Sequence, residues 1–208
     1  MAEDGTIRFA YSLEQPVGPI TGISTLESLA GWRAVLKRLA VLGQDADRYG
    51  GAGFGNLSSR DLERPEELVI TASQTAGAPA LFEESLVRIT HCNPARFWVD
   101  AIGHQPPSSE TLTHATIYQA APEIEWVFHV HSPEIWQRHA DLELPATPEE
   151  VTYGSPAMAE AVSLLLSRHR ARPLVFVTLG HEDGVFACGG SADETGSVLV
   201  RMVARALA

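Results

Sequence analysis

An α/β fold, with one sheet covered by helices, is what this sequence predicts, and three observations carry it. Apolar stretches of strand length recur at Leu68–Thr71, Trp126–His131 and Leu174–Leu179, bounded by Gly, Pro and Asn turns. Between them lie segments with helical spacing of apolar residues and N-terminal capping signals. Several strands follow one another through turns too short for a crossover, so the sheet is mostly hairpin-connected. The 208 residues show no linker or break in composition, so a single domain over residues 24–208, preceded by an N-terminal arm over residues 1–23, is expected.

Within the arm, Thr6–Tyr11 has the composition of a short strand, and Pro16, Pro19 and several glycines then keep the chain extended. Ser24-Thr25-Leu26-Glu27 has capping-box spacing, and Leu29, Trp32, Leu36, Leu39 and Ala40 form the apolar stripe of a helix that ends near Gly43. The stretch Tyr49–Arg60 is so dense in glycine that the backbone either turns sharply before a strand or forms an anion nest of amides, with Asn56 as a further donor. It is not a dinucleotide or Walker loop, because no strand precedes it and no Gly-Lys-Ser/Thr follows. The strand Leu68–Thr71 runs into Ala72–Gly77, a second loop of small residues, hydroxyls and the amide of Gln74. Leu86–Cys92 and Arg96–Ile102 alternate around Asn93-Pro94-Ala95 as a hairpin. Pro145 and Pro148 mark a loop, after which Ser155 caps a helix with Pro156 at its first position and Met158, Val162, Leu165 and Leu166 on its apolar face. Leu174–Leu179 is a buried strand, and Gly180-His181-Glu182-Asp183-Gly184 turns it into Val185–Cys188, which leaves His181 at a strand end. Ser191-Ala192-Asp193-Glu194 repeats the capping-box spacing and opens a last helix with Val198, Leu199, Met202 and Val203 on one face.

The chemistry is concentrated between Pro107 and Ser132. Pro107-Ser108-Ser109-Glu110 reads as a helix start, with a serine hydroxyl accepting from first-turn amides and Glu110 at the positive end of the dipole. The helix runs to about Ala120, Pro122 stops it, and Trp126–His131 follows as a strand. Its period of two sends Trp126, Phe128 and Val130 to one face and Val127, His129 and His131 to the other. Alpha carbons two residues apart on a strand lie about 6.5 Å from each other, a span over which two imidazoles can converge on one cation. A single strand histidine commonly serves only as a satisfied polar residue; two on one face beside a helix-start carboxylate favour a metal site.

Net charge is −11 and Lys and Arg are not clustered, so neither nucleic acid nor an anionic membrane is an expected partner. The first residues lack a basic and apolar leader and no window is a membrane span, which predicts a cytoplasmic protein. Cys92 and Cys188 are too few and too far apart for a disulfide framework or a Cys-x-x-Cys metal site, so both are expected as buried free thiols.

Five motifs taken together, Gly55-Asn56-Leu57-Ser58, Ile70-Thr71-Ala72-Ser73, Pro107-Ser108-Ser109-Glu110 with His114 on the same helix, His129-Val130-His131, and His181, give a sequence that resembles the class II aldolase/adducin family from about Leu26 onward. The resemblance implies a three-layer α/β/α sandwich around a largely antiparallel, mixed sheet, assembled as a homo-oligomer, often a tetramer. It implies His129, His131 and His181 as ligands of Zn2+ or another divalent transition metal and Glu110 as the catalytic acid/base. It also implies Gly55, Asn56, Ser73, Ser108 and Ser109 as contacts to a sugar or sugar-phosphate substrate. A three-histidine metal leaves room for a vicinal hydroxyl and carbonyl and stabilises an enediolate, so the implied activity is a metal-dependent lyase of aldolase type. Epimerisation and dehydration use the same groups, and an adducin-like interaction module without catalysis is the alternative of another class. Two departures stand out: Gln74 where many relatives have glycine, which crowds a phosphate, and the longer turn His181-Glu182-Asp183-Gly184, which adds two carboxylates near the metal.

Overall fold

The computed structural model describes residues 5–61 and 63–208, and its frame is one mixed sheet of nine strands. In chain order the elements are β1 (Ala10–Glu14), α1 (Ile23–Arg38), β2 (Gly43–Gln44), β3 (Gly53–Phe54), β4 (Asn56–Arg60), β5 (Leu68–Thr71), β6 (Leu86–Asn93) and β7 (Trp98–Gly103). There follow α2 (Thr111–Ala120), β8 (Trp126–His131), α3 (Pro133–Gln137), β9 (Ala146–Thr147), α4 (Pro156–Arg168), β10 (Leu174–Thr178), β11 (Gly184–Gly189) and α5 (Ala192–Leu207). The sheet order is β1-β7-β6-β5-β4-β8-β11-β10-β9, parallel only where β1 meets β7 and β9 meets β10, while β2 and β3 form a separate ribbon.

Period-two alternation divides the core into two layers. Phe128, Val130, Val175, Val185 and Ala187 pack with Leu29 and Leu36 of α1, Ile135 of α3 and Leu199, Met202 and Val203 of α5. On the opposite face, Val127, Ile70, Val87, Phe176 and Phe186 pack with Leu112, Ile117 and Tyr118 of α2 and Met158, Val162 and Leu165 of α4. The result is the α/β/α sandwich that the family resemblance implies. Because both faces are covered, all six residues of β8 are buried, including the two histidines. Among the described residues no helix is long and apolar enough to cross a membrane.

The structure departs from the sequence reading at identifiable places. The strand expected at Thr6–Tyr11 forms at Ala10–Glu14 and serves as the sheet's edge against β7. The capping box expected at Ser24–Glu27 does not form: α1 starts at Ile23 with Gly22 at its N-cap and no side-chain cap, because the chain leaves its extended approach before Ser24. On the same helix, Arg33 occupies the core stripe, buried by donating to the carbonyls of Thr75, Ala76 and Ala78. The caps expected at Ser155 and Ser191 are present, accepting from Met158 N at 3.1 Å and Glu194 N at 3.1 Å. The helix after Ser108-Ser109 begins at Thr111, with Glu110 itself at the N-cap. Cys188 is a buried free thiol as expected, whereas Cys92 is only partly covered, at the end of β6. Neither α3 nor β9 was foreseen in the Pro-rich stretch after His131.

Candidate functional site

One end of the sheet gathers the polar residues, and strand register explains why. His129 lies opposite Asn56 of β4 on one side and Phe186 of β11 on the other, while His131 lies opposite Gly184. The turn joining β10 to β11 therefore closes beside His131, and hydrogen bonds from His181 N to Thr178 O and from Gly184 N to His181 O fix it there. Gly55, at φ +79°, turns the chain into β4 so tightly that a Cβ would sit 3.0 Å from both His129 O and Leu42 Cγ, a place only glycine fills without strain.

Ring centroids lie 5.0 Å apart for His129 and His131, 5.2 Å for His129 and His181, and 4.7 Å for His131 and His181. All three are buried, and each offers a ring nitrogen within 4.8 Å of the others. His129 Nδ1 faces the carbonyl of Val185 at 3.1 Å and must donate to it, so its proton is on that side. Nε2 is then a bare lone pair, buried and without a hydrogen-bond partner. Burial, followed by the neighbouring histidines, holds His129 and His131 well below the usual imidazole pKa and so neutral. Buried, neutral, convergent imidazoles with one tautomer fixed by a backbone carbonyl fit a divalent ion such as zinc. Tyr153 stacks on His181 at 4.5 Å and Tyr49 meets His131 edge-on at 4.6 Å, which holds the rings in place.

Glu110 is buried at the start of α2, where Oε2 accepts from Thr113 Oγ1 at 2.8 Å and Oε1 lies 3.5 Å from His181 Nδ1. One turn later His114 bonds Ser58 Oγ through Nδ1 at 2.7 Å, and Ser58 in turn meets Tyr118 Oη at 2.8 Å. Burial pushes His114 down to about 3. Such an imidazole takes a proton near pH 6.5 in the unfolded chain but only far lower when folded. Below pH 6.5 the unfolded state therefore binds more protons, and stability, full above that pH, falls as pH drops, by up to about 1.4 kcal/mol per pH unit for each such histidine. Urea unfolding of metal-stripped protein should show a clear loss between pH 7.5 and pH 5; equal stability at the two would contradict the buried neutral histidines.

All nine residues singled out from the sequence (Glu110, His129, His131, His181, Gly55, Asn56, Ser73, Ser108 and Ser109) line one cleft. Phe54 and Gln74 line it too. Sequence reasoning missed Tyr49, Phe54 and Tyr153 as supports of the histidines; their only signal was aromatic rings beside the glycine turns. Arg48 lies against the cleft's lining, bonding Tyr49 Oη at 2.7 Å and sitting 4.5 Å from the centroid of the Phe54 ring. Arg60 points to the far end of β4, bonding the carbonyls of Ile124, Pro65 and Tyr118. Arg33 and Lys37 of α1 instead hold the carbonyls of the 75–78 loop. Of the two added carboxylates, Asp183 accepts from Tyr49 Oη at 2.6 Å, while Glu182 is exposed in a wider cavity beside the cleft.

The family described as class II aldolase and adducin N-terminal domain matches residues 38–206 of this chain. Among solved structures, an L-fuculose 1-phosphate aldolase shares 20% identity at a TM-score of 0.65, covering 90% of this chain and 84% of that one. YgbL from Klebsiella pneumoniae, a candidate aldolase/epimerase/decarboxylase, shares 18% at 0.68, covering 90% and 88%. A sugar-phosphate aldolase from Thermotoga maritima shares 16% at 0.65, covering 88% and 94%. At these identities the structural likeness concerns the fold.

Proposed function

The chain belongs to the class II aldolase and adducin N-terminal domain family, and from that premise we infer that it is a metal-dependent lyase of aldolase type acting on a hydroxy-carbonyl sugar or sugar phosphate. The observation that carries this reading is the convergence of three buried imidazoles within 4.8 Å, beside a buried carboxylate, in one cleft. His129, His131 and His181 would hold the ion, for which zinc is the expected choice. When bound, such an ion supplies Lewis acidity toward the negative charge that develops when the bond next to a carbonyl breaks. Glu110, steadied by Thr113, is placed to move a proton to or from the substrate. Asn56, Ser73, Ser108 and Ser109 offer hydrogen bonds that orient substrate hydroxyls in the cleft. The finer assignments, zinc and a homotetramer, rest on the family resemblance.

A metal-loaded protein should be screened against phosphorylated and unphosphorylated hydroxy-ketones and hydroxy-acids. Release of two smaller carbon fragments, abolished by chelation, is the expected result. Epimerised or dehydrated product without cleavage would replace the lyase by one of those activities on the same residues. A protein that purifies without metal and turns over nothing would leave the adducin-like interaction module.

A further inference from the structure

The donor-bearing part of the cleft is lined by Gly53, Gly55, Asn56, Ser73, Gln74, Ser108 and Ser109. Two of its backbone amides, those of Gly53 and Ser73, are already engaged within the protein. Gly53 N donates to Gln74 Oε1 at 3.1 Å and Ser73 N to Pro106 O at 2.9 Å. The carboxamide of Gln74 thus takes the Gly53 amide that an anion's oxygen could otherwise accept from, and its Nε2 lies so close to Gly5 that a Cβ there would collide with it. No Lys or Arg lines this cleft among the described residues; Arg33 and Lys37 are engaged by loop carbonyls, and Arg48 by Tyr49 Oη and the face of Phe54. Asn56 adds an opposite demand: its Oδ1 is buried and accepts no hydrogen bond within the protein. A hydroxyl can donate to that oxygen, whereas a phosphate dianion brings only acceptors.

Resting on the aldolase-type reading above, we propose that Gln74 caps this part of the cleft against phosphate, so that the substrate is a hydroxy-carbonyl compound whose end bound here is a neutral hydroxyl-bearing group. Binding a phosphate would require displacing the carboxamide from Gly53 N, with no Lys or Arg side chain lining the cleft to offset the charge. A hydroxylated end instead satisfies Asn56 and the serine hydroxyls.

Gln74 has φ +58°, a conformation that glycine adopts without strain, so Gln74→Gly should keep the fold although it loses the bond to Gly53 N. Titration with inorganic phosphate, followed by calorimetry in metal-loaded and again in metal-stripped protein, separates binding at the ion from binding at the capped part. The expected result is that Gln74→Gly binds phosphate at least about tenfold more tightly than the parent in both states, the scale of one internal hydrogen bond removed. Equal affinity in the two chains, or no binding in either, would overturn the proposal. Metal content measured on the same samples keeps the two questions apart: an empty three-histidine site would sink the lyase reading while leaving the phosphate comparison intact.

Discussion

His181→Ala should leave the protein folded but without its divalent ion, whereas the parent chain should carry about one per chain. The substitution lies in a turn held by backbone hydrogen bonds at Thr178 and Gly184, so the backbone should keep its course although the stacking on Tyr153 is lost. His129 and His131 sit in a strand buried on both faces, and alanine there removes core volume as well as a ligand, so His181 gives the cleaner measurement. Loss of a group that merely supports a ligand commonly lowers metal affinity tenfold to a hundredfold, and loss of a ligand itself should exceed that. Elemental analysis after dialysis reads the result directly. Full metal content in His181→Ala would remove that residue from the site.

Glu110→Gln should fold, keep its metal and turn over its substrate about a hundredfold to ten-thousandfold more slowly, the range typical of a positioned proton-transfer group. Glutamine has nearly the shape of glutamate, and its amide oxygen can still accept from Thr113 Oγ1, which bonds Glu110 Oε2 at 2.8 Å in the parent. It cannot carry a proton between substrate atoms. Loss of metal along with activity would make Glu110 chiefly a ligand, consistent with its 3.5 Å approach to His181. Unchanged turnover would move the proton to another group. Exposed Glu182 would then be the next residue to test, because Asp183 is already held by Tyr49 Oη.

Features set by neighbours along the chain were legible without a structure. The alternation of β8 put both histidines on one face, as observed, and the hydroxyls of Ser155 and Ser191 announced the starts of α4 and α5. Asn93-Pro94-Ala95 marked the hairpin between β6 and β7. Where local signals were only permissive, they misled. Ser24 and Glu27 have capping spacing, yet α1 is docked by Leu29 and Leu36 and begins before them. Nothing local marks Arg33 as buried, because its partners, the carbonyls of Thr75, Ala76 and Ala78, lie more than forty residues away in sequence.

By itself, then, the sequence determined the covered sheet, the strand that aims His129 and His131 together, and the candidate residues, since each follows from a period, a cap or a motif within a few positions. Only the tertiary structure decided that these residues meet. The β4–β8–β11 register brings Asn56 and the His181 turn to the same sheet end, and α2 delivers Glu110 against His181 rather than leaving it as an exposed first-turn charge. It also decided that Gln74 turns its carboxamide onto Gly53 N. The physical reason is the same in each case: burial, tautomer and hydrogen-bond occupancy depend on segments distant in the chain, and no local pattern encodes which of them will arrive.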